Sequence, residues 1–158
     1  MTVTPAECVG AQQDLAAQLQ TLIQNASFAG AQTADGTVFT EIVSGNAADL
    51  AKISDIVNSC QHMTVAATVL GKQLAGTTVT IETLSLPGES DGNGALAYHT
   101  TSQSDIGGQA IPTNSYTGYA VVGSTTVAVH TENLTGKTDD STFDQIFDSA
   151  VAKVRSAT

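Results

Sequence analysis

The chain has no tryptophan, three tyrosines and four phenylalanines in 158 residues, so aromatics make up only 4% of it. Its core must be built mainly from Ala, Val, Leu and Ile. Basic residues are also scarce: five Lys and Arg stand against fifteen Asp and Glu, a formal charge of −10. Nucleic-acid binding needs Lys and Arg grouped to displace counterions from phosphates, and here they occur singly. That class of partner is excluded, and the same acidity opposes docking on anionic lipid head groups. No stretch approaches the ~18 apolar residues of a membrane helix. Met1 leads straight into Thr2-Val3-Thr4-Pro5 with neither a basic segment nor an apolar core, so no signal peptide is visible. Any export signal or anchor is expected to have been removed ahead of this sequence.

The length suits one domain, 1–158, and nothing in the composition marks a boundary. There are two cysteines. Cys8 is expected in the first turn of the first helix and Cys60 in the last turn of the second. Bonded, they would close a loop worth about 4 kcal/mol in the chain-entropy model. The alternative is a pair of buried free thiols.

Helical and strand periods alternate along the chain. Thr4 with Glu7 spells a capping box and Pro5 suits the first helical position, which predicts a helix from there to Asn25 with a stripe of Cys8, Ala11, Leu15, Leu19, Leu22 and Ile23. Two strands, Phe28–Thr33 and Thr37–Ser44, flank Asp35-Gly36, a hairpin signal. Asn46 is the expected cap of a second helix with Leu50, Ile53, Ile56, Val57 and Cys60 on one face. A period of two begins at Met63, with Val65, Ala67 and Val69 on the same face. Further strands are predicted over Thr77–Leu86, Ala95–Thr101, Tyr116–Gly123 and Thr125–Glu132, with 107–115 an irregular exposed loop. A last helix starts at Ser141 and carries Phe143, Ile146, Phe147, Ala150, Val151 and Val154 on one face. The order α-β-β-α-β-β-β-β-β-α, with short links between strands, implies an α+β fold: an antiparallel sheet flanked by helices.

Several patterns touch on chemistry. Gly88-Glu89-Ser90-Asp91-Gly92 has the spelling of a hydrolase nucleophile elbow, but that device needs a strand entering a helix, and here a turn and another strand follow. Gly92-Asn93-Gly94 spells part of a dinucleotide fingerprint with no helix to receive a pyrophosphate. Glu89, Asp91 and Asn93 lack the full ligand register of a calcium loop. His62, His99 and His130 show no local metal-ligand spacing. By alternation His130 shares a face with Glu132 and points away from Val127 and Val129, while His99 shares a face with Ala95 and Ala97. Asp139-Asp140 reads as a dipole complement at a helix start. Asn25-Ala26-Ser27 and Asn133-Leu134-Thr135 fit the glycosylation sequon. Ala95, Ala97, Gly118 and Ala120, with Gly123, leave room beside the sheet, and the first four are the candidate groove-lining residues. That room is either a ligand groove or the close seat of a helix.

The opening Thr4-Pro5-Ala6-Glu7-Cys8, the run Cys60-Gln61-His62-Met63-Thr64-Val65, Tyr119-Ala120-Val121-Val122 and the terminal Ala150-Val151-Ala152-Lys153-Val154-Arg155 carry a resemblance. The chain resembles actinobacterial, chiefly mycobacterial, cell-envelope domains, found as lipoproteins and as extracellular sensor domains of PknH-type transmembrane kinases. The resemblance implies an exported location, disulfide bonding (hence Cys8 with Cys60), an antiparallel sheet with flanking helices and no established enzymatic chemistry. Kinase sensors of this kind carry a ligand-sized cleft and a second disulfide near a Trp-x-x-Cys. This chain lacks the Trp and the further cysteines, which favours a lipoprotein or a free secreted relative.

The expectation is therefore a non-enzymatic extracytoplasmic binding or sensor domain with no cofactor and no metal, recognising a lipid, a wall fragment or a protein. The competing classes are an interaction module without a pocket, and a serine hydrolase using Ser90 with His99 as the base nearest in sequence.

Overall fold

The strands Thr2–Thr4 (β1) and Ala26–Gln32 (β2) are joined by one helix, Cys8–Ile23 (α1), yet they form opposite edges of an eight-stranded sheet. In this computed structural model, which describes residues 2–66, 68–69, 72–73, 76–86, 94–106, 109–133 and 140–157, α1 crosses the sheet from one edge to the other. Sixteen helical residues supply about 24 Å at ~1.5 Å each, and seven strand spacings of ~4.8 Å come to about 34 Å, so short linkers complete the traverse. The chain turns at Asp35-Gly36 into Val38–Ser44 (β3), and a second helix, Leu50–Ser59 (α2), carries it back over the same face to His62–Ala66 (β4), next to β1. The two crossings run opposite ways, so the start of α1 and the end of α2 meet. The Cys8–Cys60 disulfide closes that corner, with the Cα atoms 5.7 Å apart.

The space between β4 and β3 is filled by a meander of Thr77–Leu84 (β7), Ala95–Ile106 (β8), Gln109–Val122 (β9) and Thr125–Asn133 (β10). The sheet order is β1-β4-β7-β8-β9-β10-β3-β2, antiparallel throughout. A two-stranded ribbon of Thr68–Val69 (β5) and Lys72–Gln73 (β6) stands apart. The third helix, Asp140–Ala157 (α3), lies on the opposite face, where Phe143, Phe147, Ala150 and Val151 are buried. The α+β class, the antiparallel sheet and its flanking helices agree with the periodicities of the sequence.

Several local expectations need correction. Thr4 does not cap α1: Thr2–Thr4 pairs with Thr64–Ala66, and the helix begins after Glu7 with no side-chain cap. Asn46 is not the cap of α2. Asp49 takes that role, its Oδ1 accepting from the Lys52 N–H at 3.0 Å, while Asn46 Nδ2 donates to the Thr21 carbonyl at 2.9 Å. The buried Thr126 hydroxyl orders this entry, accepting from the Ala48 N–H and donating to the Asn46 carbonyl. The continuous alternation expected from Met63 divides into β4 and the β5–β6 ribbon. Most of the expected 107–115 loop is strand, since Gln109–Ser115 pairs residue by residue with Thr100–Ile106. Pro112 hid this from the sequence. It sits beyond Asn114, the last residue of β9 that pairs with β10, and among the described residues no strand pairs with that side of β9, a place where a missing N–H is tolerated.

Candidate functional site

Alternation gives each strand two functions. On β8, Ala97 faces α3 while Tyr98 faces α1 and α2; on β10, Val127 and Val129 face α3 while Ala128 faces the other pair. Under α3 the packing is tight. Ala97 and Ala120 are buried, and a Cβ on Gly118 would lie 2.9 Å from the Phe147 ring and 3.0 Å from that of Phe143. The small residues Ala95, Ala97, Gly118 and Ala120 are thus the seat of a helix. The groove reading of these four is corrected: two Phe rings stacked 5.7 Å apart and flanked by Tyr116 occupy the space.

The opposite face holds a cavity of about 260 Å³ between the disulfide-tied ends of α1 and α2 and the sheet. Ala11 and Leu15 of α1 and Ile56 and Val57 of α2 form its roof, with Cys60 beside them. The floor changes character across the strands. Met63, Val79 and Ile81 make it apolar below the disulfide, and Gln12 Nε2 reaches the Met63 sulfur at 3.1 Å. Farther in, Thr100 pairs with Ser115 and Thr117 with His130, so a polar row crosses β8, β9 and β10. Mostly apolar walls with a few convergent polar groups are the usual make-up of a small-molecule pocket.

The side chains that line that polar end are uncharged, and the Glu132 carboxylate, outside the lining, acts on His130. Burial lowers the His130 pKa below the usual histidine value, opposed by the charge of Glu132, and Nδ1 lies 2.9 Å from the Thr117 hydroxyl. Burial raises the phenol pKa of both Tyr98 and Tyr119, whose rings lie 6.4 Å apart. At neutral pH the polar end of the cavity therefore presents an uncharged imidazole and hydroxyl groups, suited to a neutral polar group and not to an ion pair. His130 does point away from Val127 and Val129, as alternation requires. That side is a second covered face, which sequence reasoning missed because it depends on α1 and α2 crossing the sheet. The signal was present: Ala128 opposes Tyr119, a large aromatic residue with little reason to face water.

No family model, curated protein or solved structure matches this chain. The remaining residues singled out in the sequence do not gather at the cavity. His99 lies on the α3 face, stacked on Tyr116 at 4.5 Å with Nε2 3.3 Å from Asn114 Oδ1, and Tyr116 donates to Asp140 at the start of α3. His62 is exposed at the start of β4, so the histidines are dispersed. Among the described residues no group of three His, Cys, Asp or Glu side chains could hold a metal ion. Asn133 is fully buried and donates to Thr37 Oγ1 at 2.8 Å, away from the cavity. Gly88–Gly92 with Ser90, the Glu89, Asp91 and Asn93 set and Asp139 lie outside the described residues.

Two other concavities lie on the α3 side. One, about 410 Å³, runs along the part of β3 and β2 that α3 leaves bare, with Ala29, Ala31, Phe39 and Ile146 in its walls. The other, about 400 Å³, is a polar surface hollow over Thr78, Thr80, Thr101 and Gln103. Neither joins an apolar enclosure to a polar end as the α1–α2 cavity does.

Proposed function

We propose that the protein is a non-enzymatic extracytoplasmic binding or sensor domain, and that the cavity between α1, α2 and the sheet holds a small, neutral, amphipathic ligand, a lipid or wall fragment. The cavity carries this reading: its apolar end at Met63, Val79 and Leu15 suits a hydrocarbon, and its neutral polar row at Thr117 and His130 suits a hydroxyl or amide. Its volume is just under the ~300–1,000 Å³ range of typical ligand pockets, which favours a compact ligand or the end of a longer one. The disulfide supports an oxidising compartment. No described helix is long and apolar enough to cross a membrane. The resemblance to actinobacterial envelope domains, some with a ligand-sized cleft, supports the same reading.

Titration calorimetry with medium-chain fatty alcohols tests it. The expected result is saturable binding with a negative heat-capacity change, abolished by Ala11→Leu, which places a larger side chain in the roof. Binding that survives Ala11→Leu unchanged places the ligand elsewhere. No binding of any neutral amphiphile favours an interaction module without a ligand pocket.

A further inference from the structure

The two edges of the sheet differ. At one, β1 has only three residues and is followed at once by Pro5, a short edge of the kind that resists further pairing. At the other, β2 presents the seven residues Ala-Ser-Phe-Ala-Gly-Ala-Gln with no charge and no proline, and from Ser27 to Gln32 they are exposed. The Thr33 N–H donates to the Thr37 carbonyl at 3.0 Å, which sets the parity of the β2–β3 ladder. Odd-numbered residues of β2 bond to β3, so the N–H and C=O groups of Ala26, Phe28, Gly30 and Gln32 point outward, away from β3. A free ladder of this kind is a template for another strand.

We propose that β2 pairs with β2 of a second copy of this chain, antiparallel about a two-fold axis at Ala29, joining two sheets into one. This register uses the whole strand, placing Ala26 opposite Gln32 and Phe28 opposite Gly30. It also brings the outward N–H and C=O groups of those residues together as hydrogen-bonded pairs. Phe28 and Gly30 lie on the same face of β2, and Phe28 is 58% exposed. The pairing lays each Phe28 ring over the Gly30 of the other copy, an aromatic covering a bare edge glycine.

Local charge at this edge leaves room for the same occupant. A molecule of formal charge −10 repels its own copy, and β2 is an uncharged approach to it. The nearest acid in the row, Glu41, pairs with Ala29. The two Glu41 Cα positions would stand about three strand spacings apart, ~14 Å, beyond the screening length at physiological salt. The contact is isologous and closes on itself, giving a dimer and not a filament.

Sedimentation equilibrium on the oxidised chain should show a reversible monomer–dimer equilibrium that salt strengthens, because salt screens the net repulsion. Gly30→Pro removes an outward N–H and no hydrogen bond of the β2–β3 ladder, and should weaken dimerisation at least tenfold with the far-UV spectrum kept. The register is read by cross-linking. Facing residues of a pair that does not exchange hydrogen bonds have Cα atoms ~4.5 Å apart, within disulfide range. Ala29→Cys should therefore cross-link to itself under mild oxidation, and Ser27→Cys should not. A chain that stays monomeric at high micromolar concentration and high salt, a Gly30→Pro chain that dimerises as the parent does, or equal cross-linking at both positions overturns the proposal. So does a heterologous strand peptide captured in place of a second copy.

Discussion

On one face of the sheet a single helix meets Ala97, Gly118 and Ala120; on the other, two helices meet Tyr98, Tyr119 and His130. Small strand residues let α3 descend until Phe143 and Phe147 rest against the backbone of β9. On the other face a cavity remains between α1, α2 and the sheet, and the disulfide ties the helix ends beside it. The sheet thus has a tightly packed face around Gly118 and, opposite it, a face with space in it. The proposed binding role falls on the second, where a ligand can enter without dismantling the first.

The largest test of this contrast is truncation on either side. Phe147 is fully buried among Phe143, Gly118 and Val151, and Phe147→Ala should cost about 3–5 kcal/mol in a denaturant titration. Met63→Ala removes a side chain that already borders open space, and its cost should fall near the low end for such changes, about 2 kcal/mol. Equal costs would mean that the two faces are equally filled in solution.

Enlargement should reverse the ranking at smaller magnitude. Gly118→Ala sets a methyl group 2.9–3.0 Å from two rings that have little room to retreat, and overpacking of this kind costs about 1–3 kcal/mol. Ala11→Leu points into the cavity and should stay within about 0.5 kcal/mol of the parent, the range of changes that disturb no packing. Thermal unfolding of the two variants beside the parent reads this directly. A tolerated Gly118→Ala would show that α3 can lift from the sheet.

Much of this was legible in the sequence and some was not, for physical reasons. The α3 stripe, the hairpin at Asp35-Gly36 and the antiparallel order follow from local periodicity and turn chemistry. Gly36 has φ +86°, a conformation glycine adopts freely. The seat for α3 was also written in Ala95, Ala97, Gly118 and Ala120, but small residues have the same spelling whether a groove or a helix lies above them. Only the presence of Phe143 and Phe147 decides between the two, and their distance along the chain hides the contact. The cavity was less legible still. It exists because α1 connects the two edge strands and α2 connects the strands beside them, a fact about strand order that no local pattern carries. The strand Gln109–Ser115 was concealed by Pro112, whose cost depends on whether a neighbouring strand extends that far.

The smallest effect is the most specific to the cavity face, since it depends on His130 being held neutral there. The native pKa of His130 is lowered, so the unfolded chain takes up a proton at a pH where the folded protein does not. Below the unfolded histidine value of about 6.5, unfolding binds more protons than folding, and stability must fall as pH falls. The loss continues until the folded-state pKa is reached, with a slope of at most about 1.4 kcal/mol per pH unit for one proton. Carboxylates also titrate toward the acid end, so the parent curve alone does not isolate His130. His130→Gln keeps a partner for the Thr117 hydroxyl and leaves the other groups in place. The stability difference between parent and variant should be flat above about pH 7 and should tilt against the parent below 6.5. Glu132 supplies the opposing charge, so Glu132→Gln should deepen the tilt. A difference that stays flat to pH 5 would mean that His130 accepts a proton as readily in the folded protein as outside it. The polar end of the cavity would then be wet and able to carry charge, and the ligand to seek would be an anion in place of a neutral amphiphile.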